Sequence, residues 1–164
     1  MEFFGFSSAD LATPIGTLIK RASDSLQLGP NWQSNMEICD MVCTAPGREG
    51  PEQAVRALTR RLQDSDQKVV SLTLTIAETC MKNCGTHFSS AVSKPLMNEI
   101  VNISRGSKGL ENRETSLRLI QMWAREYEKL KAKMPIFFET YIALKAKGVS
   151  FPPEDSSTFQ SEER

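Results

Sequence analysis

The chain has 164 residues, a length typical of one domain with its own hydrophobic core. Its 20 basic and 20 acidic residues give a formal net charge of zero, which provides no global field to hold nucleic acid. No apolar run approaches the roughly 20 residues that span a bilayer, and residues 1–10 lack the pattern of a signal peptide. We therefore expect a cytoplasmic, monomeric domain that does not bind nucleic acid.

Glycine and proline divide the chain, and the apolar residues between them follow a helical spacing rather than an alternating one. We therefore predict an all-α domain over residues 13–152, with an N-terminal extension over 1–12 and a disordered polar tail over 153–164. Eight helices are predicted, over residues 14–23, 32–43, 51–63, 67–83, 87–92, 95–104, 112–128 and 135–148.

The fourth predicted helix has the widest apolar face, an arc of roughly 200° on a helical wheel. An arc of that width needs neighbours on two sides, so this helix should lie at the centre of the fold. We predict that Leu74, Ile76, Cys80 and Trp123 are in the core. The narrow polar stripe of the same helix contains Lys68, Ser71, Thr75, Glu78, Thr79 and Lys82.

Nothing in the sequence predicts catalysis. The chain has one histidine, His87, and no nucleophile and base at a catalytic spacing. The four cysteines, which form the i,i+4 pairs Cys39/Cys43 and Cys80/Cys84, could in principle hold zinc, but buried structural thiols are the favoured interpretation. A reducing compartment argues against disulfides. We expect no enzyme activity, no metal and no cofactor.

Two surface features are candidates for binding. Trp32 and Met36 are adjacent on the second helix. Trp32 either caps the core near the helix start or forms with Met36 an exposed patch for a partner. The third helix carries Arg56, Arg60 and Arg61, either as a solvated face or as a site for anionic lipid or an acidic protein.

Two segments resemble the VHS domains of endosomal sorting adaptors: residues 31–40, NWQSNMEICD, and residues 72–88, LTLTIAETCMKNCGTHF. The ending KGVSFP at residues 147–152 agrees with this resemblance, which covers about residues 14–152. The first segment is most similar to the Target-of-Myb branch. The resemblance implies a right-handed superhelix of about eight helices. It also implies a cytoplasmic adaptor at endosomal or Golgi membranes, with ubiquitin, ubiquitinated cargo and other sorting adaptors as partners.

The resemblance also implies two alternative binding sites. Ubiquitin-binding relatives use a tryptophan at the start of the second helix, an apolar residue four positions later and the exposed start of the fourth helix. The corresponding residues of this chain are Trp32, Met36, Lys68, Ser71 and Thr75. Other relatives hold acidic dileucine signals between the sixth and eighth helices through basic residues. Here that groove is expected to include Asn98, Asn102 and Lys145, so only one of the three is basic.

The leading hypothesis is therefore a non-catalytic cargo-sorting module that binds ubiquitin weakly through its second and fourth helices. Recognition of acidic dileucine signals is the first alternative. Binding of phosphoinositide or another anionic lipid through the third helix is the second.

Overall fold

The computed structural model describes residues 8–154 of the chain. This part contains eight α-helices and no strand, so the all-α prediction is confirmed. The helices are α1 (Pro14–Ala22), α2 (Trp32–Thr44), α3 (Glu49–Leu62), α4 (Gln67–Cys84), α5 (Thr86–Ser89), α6 (Lys94–Ser104), α7 (Leu110–Glu126) and α8 (Pro135–Ala146). Short 3-10 turns cover Ser8–Leu11 and Glu128–Leu130.

The helix ends follow the capping residues of the sequence. The Thr13 side chain accepts a hydrogen bond of 2.9 Å from the Gly16 amide and starts α1. Gly85 ends α4 with a φ of +54°, a left-handed conformation that favours glycine. The fifth helix is shorter than predicted, because the amides of Ala91 and Val92 bond to carbonyls three residues back and form a turn.

The core is continuous from the first helix to the last. As predicted, α4 is central, and it packs against α2, α3, α5 and α7. The four predicted core residues are confirmed, since Leu74, Ile76, Cys80 and Trp123 are at most 1% exposed. The core therefore forms a rigid base for the outer helix faces.

Part of the predicted N-terminal extension is folded onto the domain. The turn Ser8–Leu11 packs on α1 and α3, and Asp10 is buried and accepts a 2.9 Å ion pair from Arg56. The first seven residues of that extension and the predicted disordered tail from residue 155 onward lie outside the described residues.

Candidate functional site

The start of α2 displays two apolar side chains to solvent. The Asn31 side chain accepts a 3.0 Å hydrogen bond from the Ser34 amide and so fixes where the helix begins. Trp32, the first residue of the helix, is 60% exposed, and Met36 is 42% exposed. Of the two interpretations of Trp32, its exposure favours the surface patch over the core cap.

The start of α4 is also accessible and carries small polar side chains. Asp66 caps the helix by accepting a 2.8 Å hydrogen bond from the Lys68 amide. Lys68 is exposed, whereas Ser71 and Thr75 are half-buried. The Thr75 hydroxyl donates to the Ser71 carbonyl at 3.2 Å, which satisfies that hydroxyl within its own helix. Small side chains of this kind permit a partner to approach the helix backbone closely.

Two sulfur contacts establish that α2 and α4 run parallel. The Sγ atoms of Cys39 and Cys80 lie 3.9 Å apart, and Cys43 is paired with Cys84. Both pairs have a sequence separation of 41 residues. The same register continued toward the helix starts places Trp32 level with Thr73. The exposed start of α2 is therefore level with the first half of α4, where Ser71 and Thr75 flank Thr73 in the sequence.

The prediction that all four cysteines are free thiols is wrong for one pair. Cys43 and Cys84 form a disulfide with Cα atoms 5.6 Å apart, whereas Cys39 and Cys80 are free and buried. The hydrogen bond with Cys39 and burial raise the pKa of the Cys80 thiol. The i,i+4 spacing places two thiols on one face of each helix, but the sequence does not give the register between the helices. Among residues 8–154 no cluster of three or more histidine, cysteine, aspartate or glutamate side chains could hold a metal ion.

Two acidic side chains lie on the same helix as the exposed apolar pair. Glu37 and Asp40 are exposed on α2, and neither forms an ion pair within residues 8–154. We call Trp32, Met36, Lys68, Ser71 and Thr75 the α2/α4 surface. This surface combines an apolar anchor, small neighbours and nearby negative charge, which suits a partner with a small apolar patch among basic residues.

The predicted sorting-signal residues do not all share one groove. A cleft of about 320 Å³ lies between α6 and α8, and Asn98 lines it. Asn102 does not line this cleft; its side-chain oxygen accepts a 2.8 Å hydrogen bond from Arg105. Lys145 lies outside the cleft as well, with its Nζ 5.3 Å from the centre of the Tyr141 ring.

The basic residues of this α6/α8 cleft were missed in the sequence. They are Lys94, Arg105 and Lys147. On a helical wheel that starts at Pro135, Lys147 lies about 200° around α8 from Lys145. The wheel could therefore have shown that the two lysines are on different faces and that Lys147 was a second candidate for the cleft. Arg105 carries no such signal, because it follows the last residue of α6 and its direction depends on the tertiary fold.

The three arginines predicted for lipid binding have different environments. Arg56 pairs with Asp10 at 2.9 Å. The Arg61 guanidinium donates to the hydroxyl and the carbonyl of Ser23 at 2.8 and 3.1 Å, and its side chain is only 12% exposed. It therefore holds the end of α1, a structural task. Arg60 is half-buried. Lipid binding by α3 stays a prediction.

His87 likewise has a structural contact. One of its ring nitrogens, Nε2, lies 3.1 Å from the Val42 carbonyl and joins α5 to α2. No helix within residues 8–154 is both long enough and apolar enough to cross a membrane.

The described residues thus form one helical domain with two candidate binding surfaces, the exposed pair on α2 and the α6/α8 cleft. Residues 9–148 match the family model described as VHS domain, so the chain belongs to the VHS domain family, whose members are non-catalytic adaptor modules.

Similar proteins support this assignment. The chain is 33% identical to TOM1-like protein 6 of Arabidopsis thaliana over 135 residues, which are 82% of this chain and 20% of that protein. It is 33% identical to TOM1-like protein 2 of Homo sapiens over 150 residues, which are 88% of this chain and 29% of that protein. The chain thus spans between about a fifth and a third of the length of these relatives.

A solved structure of the VHS and FYVE tandem domains of Hrs, described as a protein involved in membrane trafficking and signal transduction, has the same fold. Its TM-score to this chain is 0.75 at 26% identity, and the match covers 88% of this chain and 66% of that one. The predicted superhelix is thereby confirmed, as is the resemblance to VHS domains of the TOM1-like and Hrs type.

Proposed function

We propose that this VHS domain is a cargo-sorting module that binds ubiquitin weakly through the α2/α4 surface. The observation that carries the proposal is the exposure of Trp32 and Met36 at the start of α2, a helix that packs in parallel on α4, the helix of Ser71 and Thr75. A large aromatic side chain that is 60% exposed contributes little to the fold and is available to a partner.

Charge supports the choice of ubiquitin, which presents a small apolar patch among basic residues. The carboxylates of Glu37 and Asp40 are exposed close to Met36 and carry negative charge toward such a partner. The apolar anchor is smaller than a standard interface, so we expect a dissociation constant on the order of 0.1–1 mM. Weak sites of this kind become effective when several are linked in one adaptor.

The test is an NMR titration of the labelled domain with monoubiquitin. Trp32→Ala should lower the affinity about tenfold or more, while the melting temperature stays within about 2 °C of the parent value. Ile142→Ala is the matched control, since Ile142 is 45% exposed on α8, a helix that packs on α6 and α7, and the change should leave binding unchanged. Absence of shift changes at millimolar ubiquitin, or normal binding by Trp32→Ala, would refute the assignment.

Recognition of acidic dileucine signals is a second candidate, supported by the composition of the α6/α8 cleft. Its lining includes the apolar side chains of Met97, Val101 and Leu144, and three basic side chains outnumber the one acidic side chain, Glu139; the basic residues are Lys94, Arg105 and Lys147. This set could receive two leucines next to acidic residues. A titration with an acidic dileucine peptide should shift resonances of α6 and α8, and Arg105→Glu should abolish those shifts without changing ubiquitin binding.

A further inference from the structure

Helix α8 has an unusual distribution of apolar residues. Only Glu139, Thr140 and Lys145 of its twelve residues are polar, yet only Phe137 and Leu144 are buried. A helix that is apolar around most of its circumference is normally enclosed by protein or by lipid. This one is the last helix within residues 8–154, and it packs on α6, α7 and the turn before it, with Phe151 of the following segment against Tyr141.

The faces of α8 can be separated by their position around the helix axis. Phe137 and Leu144 face the core, and Ile136, Glu139 and Ala143 line the α6/α8 cleft. Phe138, Ile142 and Lys145 are spaced four and three residues apart, so they share one stripe of α8. This stripe and the cleft-lining residues lie on opposite sides of the buried face. Ile142 is 45% exposed and Phe138 is half-buried.

The turn before α8 adds positive charge next to Phe138. Lys129, Lys131 and Lys133 are all exposed, and the Lys131 Nζ lies 4.7 Å from the centre of the Phe138 ring. Leu130 and Met134 pack on the core. The Met134 amide also donates to the Leu130 carbonyl at 2.8 Å, so the turn is held in place while its lysines point outward.

Within residues 8–154, no ion pair involves Lys129, Lys131, Lys133 or Lys145. The chain has no net charge, but these four lysines outnumber the exposed Glu128, the one carboxylate of residues 128–134, so the region next to Phe138 is locally basic.

We propose that this lysine-ringed stripe of α8 docks on the surface of an anionic phospholipid bilayer. Lysine amino groups would contact lipid phosphates, while Phe138 and Ile142 enter the boundary between headgroups and acyl chains. The long lysine stems allow both contacts at once. A bilayer fits this outer face of the terminal helix, because the groove that suits a peptide is on the opposite side of α8. The proposal is independent of ubiquitin binding and uses none of the α3 arginines.

The test is co-sedimentation with vesicles of phosphatidylcholine that contain about 30% phosphatidylserine. The parent domain should bind these vesicles, should not bind pure phosphatidylcholine, and should dissociate as sodium chloride is raised. The triple variant Lys129→Gln/Lys131→Gln/Lys133→Gln should lower the partition coefficient about a hundredfold. A control triple variant removes the same charge elsewhere, by Lys20→Gln/Lys82→Gln/Arg113→Gln. This control should lower the partition coefficient far less.

A second variant tests the apolar part at constant charge. Ile142→Ser should reduce vesicle binding about tenfold, whereas Leu110→Ser, at another exposed apolar position, should not. Failure of the parent to bind, or equal binding by the two triple variants, would overturn the proposal. Lysine-dependent binding of polyglutamate without vesicle binding would overturn it too and indicate an acidic protein partner. Loss of vesicle binding in Arg60→Gln, but not in the lysine triple variant, would also overturn the proposal and would assign the lipid site to α3.

Discussion

Threonine side chains occupy buried positions of α4 that the hydrophobic pattern did not identify. Thr79 was predicted in the polar stripe but is 7% exposed, and Thr73 is fully buried. Each hydroxyl donates a 2.7 Å hydrogen bond to the carbonyl four residues earlier, so its polarity is satisfied inside the helix. A threonine of this kind packs almost like valine, and a helical wheel that counts it as polar draws the stripe too wide.

Leu74 is a suitable residue for testing the core. It is fully buried in the central helix, so Leu74→Ala removes apolar contacts on every side and leaves a cavity. We expect a loss of about 2–5 kcal/mol in the free energy of unfolding, measured by urea denaturation. Leu110→Ala, at an exposed site, should cost less than about 0.5 kcal/mol. A similar loss for both variants would contradict the assigned core.

Glu78 should make stability depend on pH. Its burial opposes ionisation, but hydrogen bonds and positive charge from Arg118 and Lys82 outweigh that effect and lower the pKa of the carboxyl group. Arg118 donates two hydrogen bonds to this carboxylate, of 3.0 and 3.2 Å. A carboxyl group with a lowered pKa in the folded state stabilises the fold above its unfolded pKa, and this contribution is lost as pH falls through the folded value.

Glu78→Gln should therefore cost about 1 kcal/mol at pH 7 and progressively less below pH 4.5, the ordinary value for this group. Urea denaturation of both proteins across this pH range measures the difference. Glu114→Gln is the control, because Glu114 forms a more exposed pair with Arg113 and its loss should cost less. A difference between parent and Glu78→Gln that stays constant down to pH 3 would exclude this role.

At the scale of single elements, helix positions were largely predictable and helix register was not. Proline at the start of α1 and α8, Asn31 before α2 and Gly85 after α4 are local signals, because a cap acts on its own helix. Pairing between helices depends on contacts across the core. The sequence therefore predicted that Trp32 and Met36 are adjacent, but it could not predict that Cys43 faces Cys84.

The Cys43–Cys84 disulfide should contribute to stability by joining α2 to α4. The bond closes a loop across a sequence separation of 41 residues and reduces the freedom of the unfolded chain. Cys43→Ser should lower the free energy of unfolding by about 2–4 kcal/mol under non-oxidising, non-reducing conditions, and a phosphine reductant should lower the parent to the same level. The variant itself should not respond to the reductant.

Thiol titration of the denatured protein provides the control for this experiment. The parent purified without reductant should show two reactive thiols, from Cys39 and Cys80, and four after reduction. Four thiols before reduction, together with no stability difference for Cys43→Ser, would contradict the disulfide.

At the scale of the whole molecule, one core connects helices that are distant in sequence. The same cluster of buried side chains includes Ile19 of α1, Leu74 of α4 and Phe137 of α8. Each outer helix shares its buried face with at least one inner neighbour, so no helix is expected to unfold alone at a low free-energy cost. The sequence predicted this central role of α4 from the width of its apolar face.

The two tryptophans allow that cooperativity to be measured. Trp123 is 1% exposed and packs edge-on against Phe137 at 6.1 Å, so its fluorescence reports the junction of α7 and α8. Trp32 is exposed, and its own fluorescence would mask that of Trp123. Trp32→Ala removes this second fluorophore without changing a core residue. In this variant, the urea transition followed by Trp123 fluorescence should coincide with the transition followed by helical circular dichroism at 222 nm. A fluorescence transition at clearly lower urea would mean that the α7–α8 end opens separately, and the domain would then consist of two cooperative units rather than one.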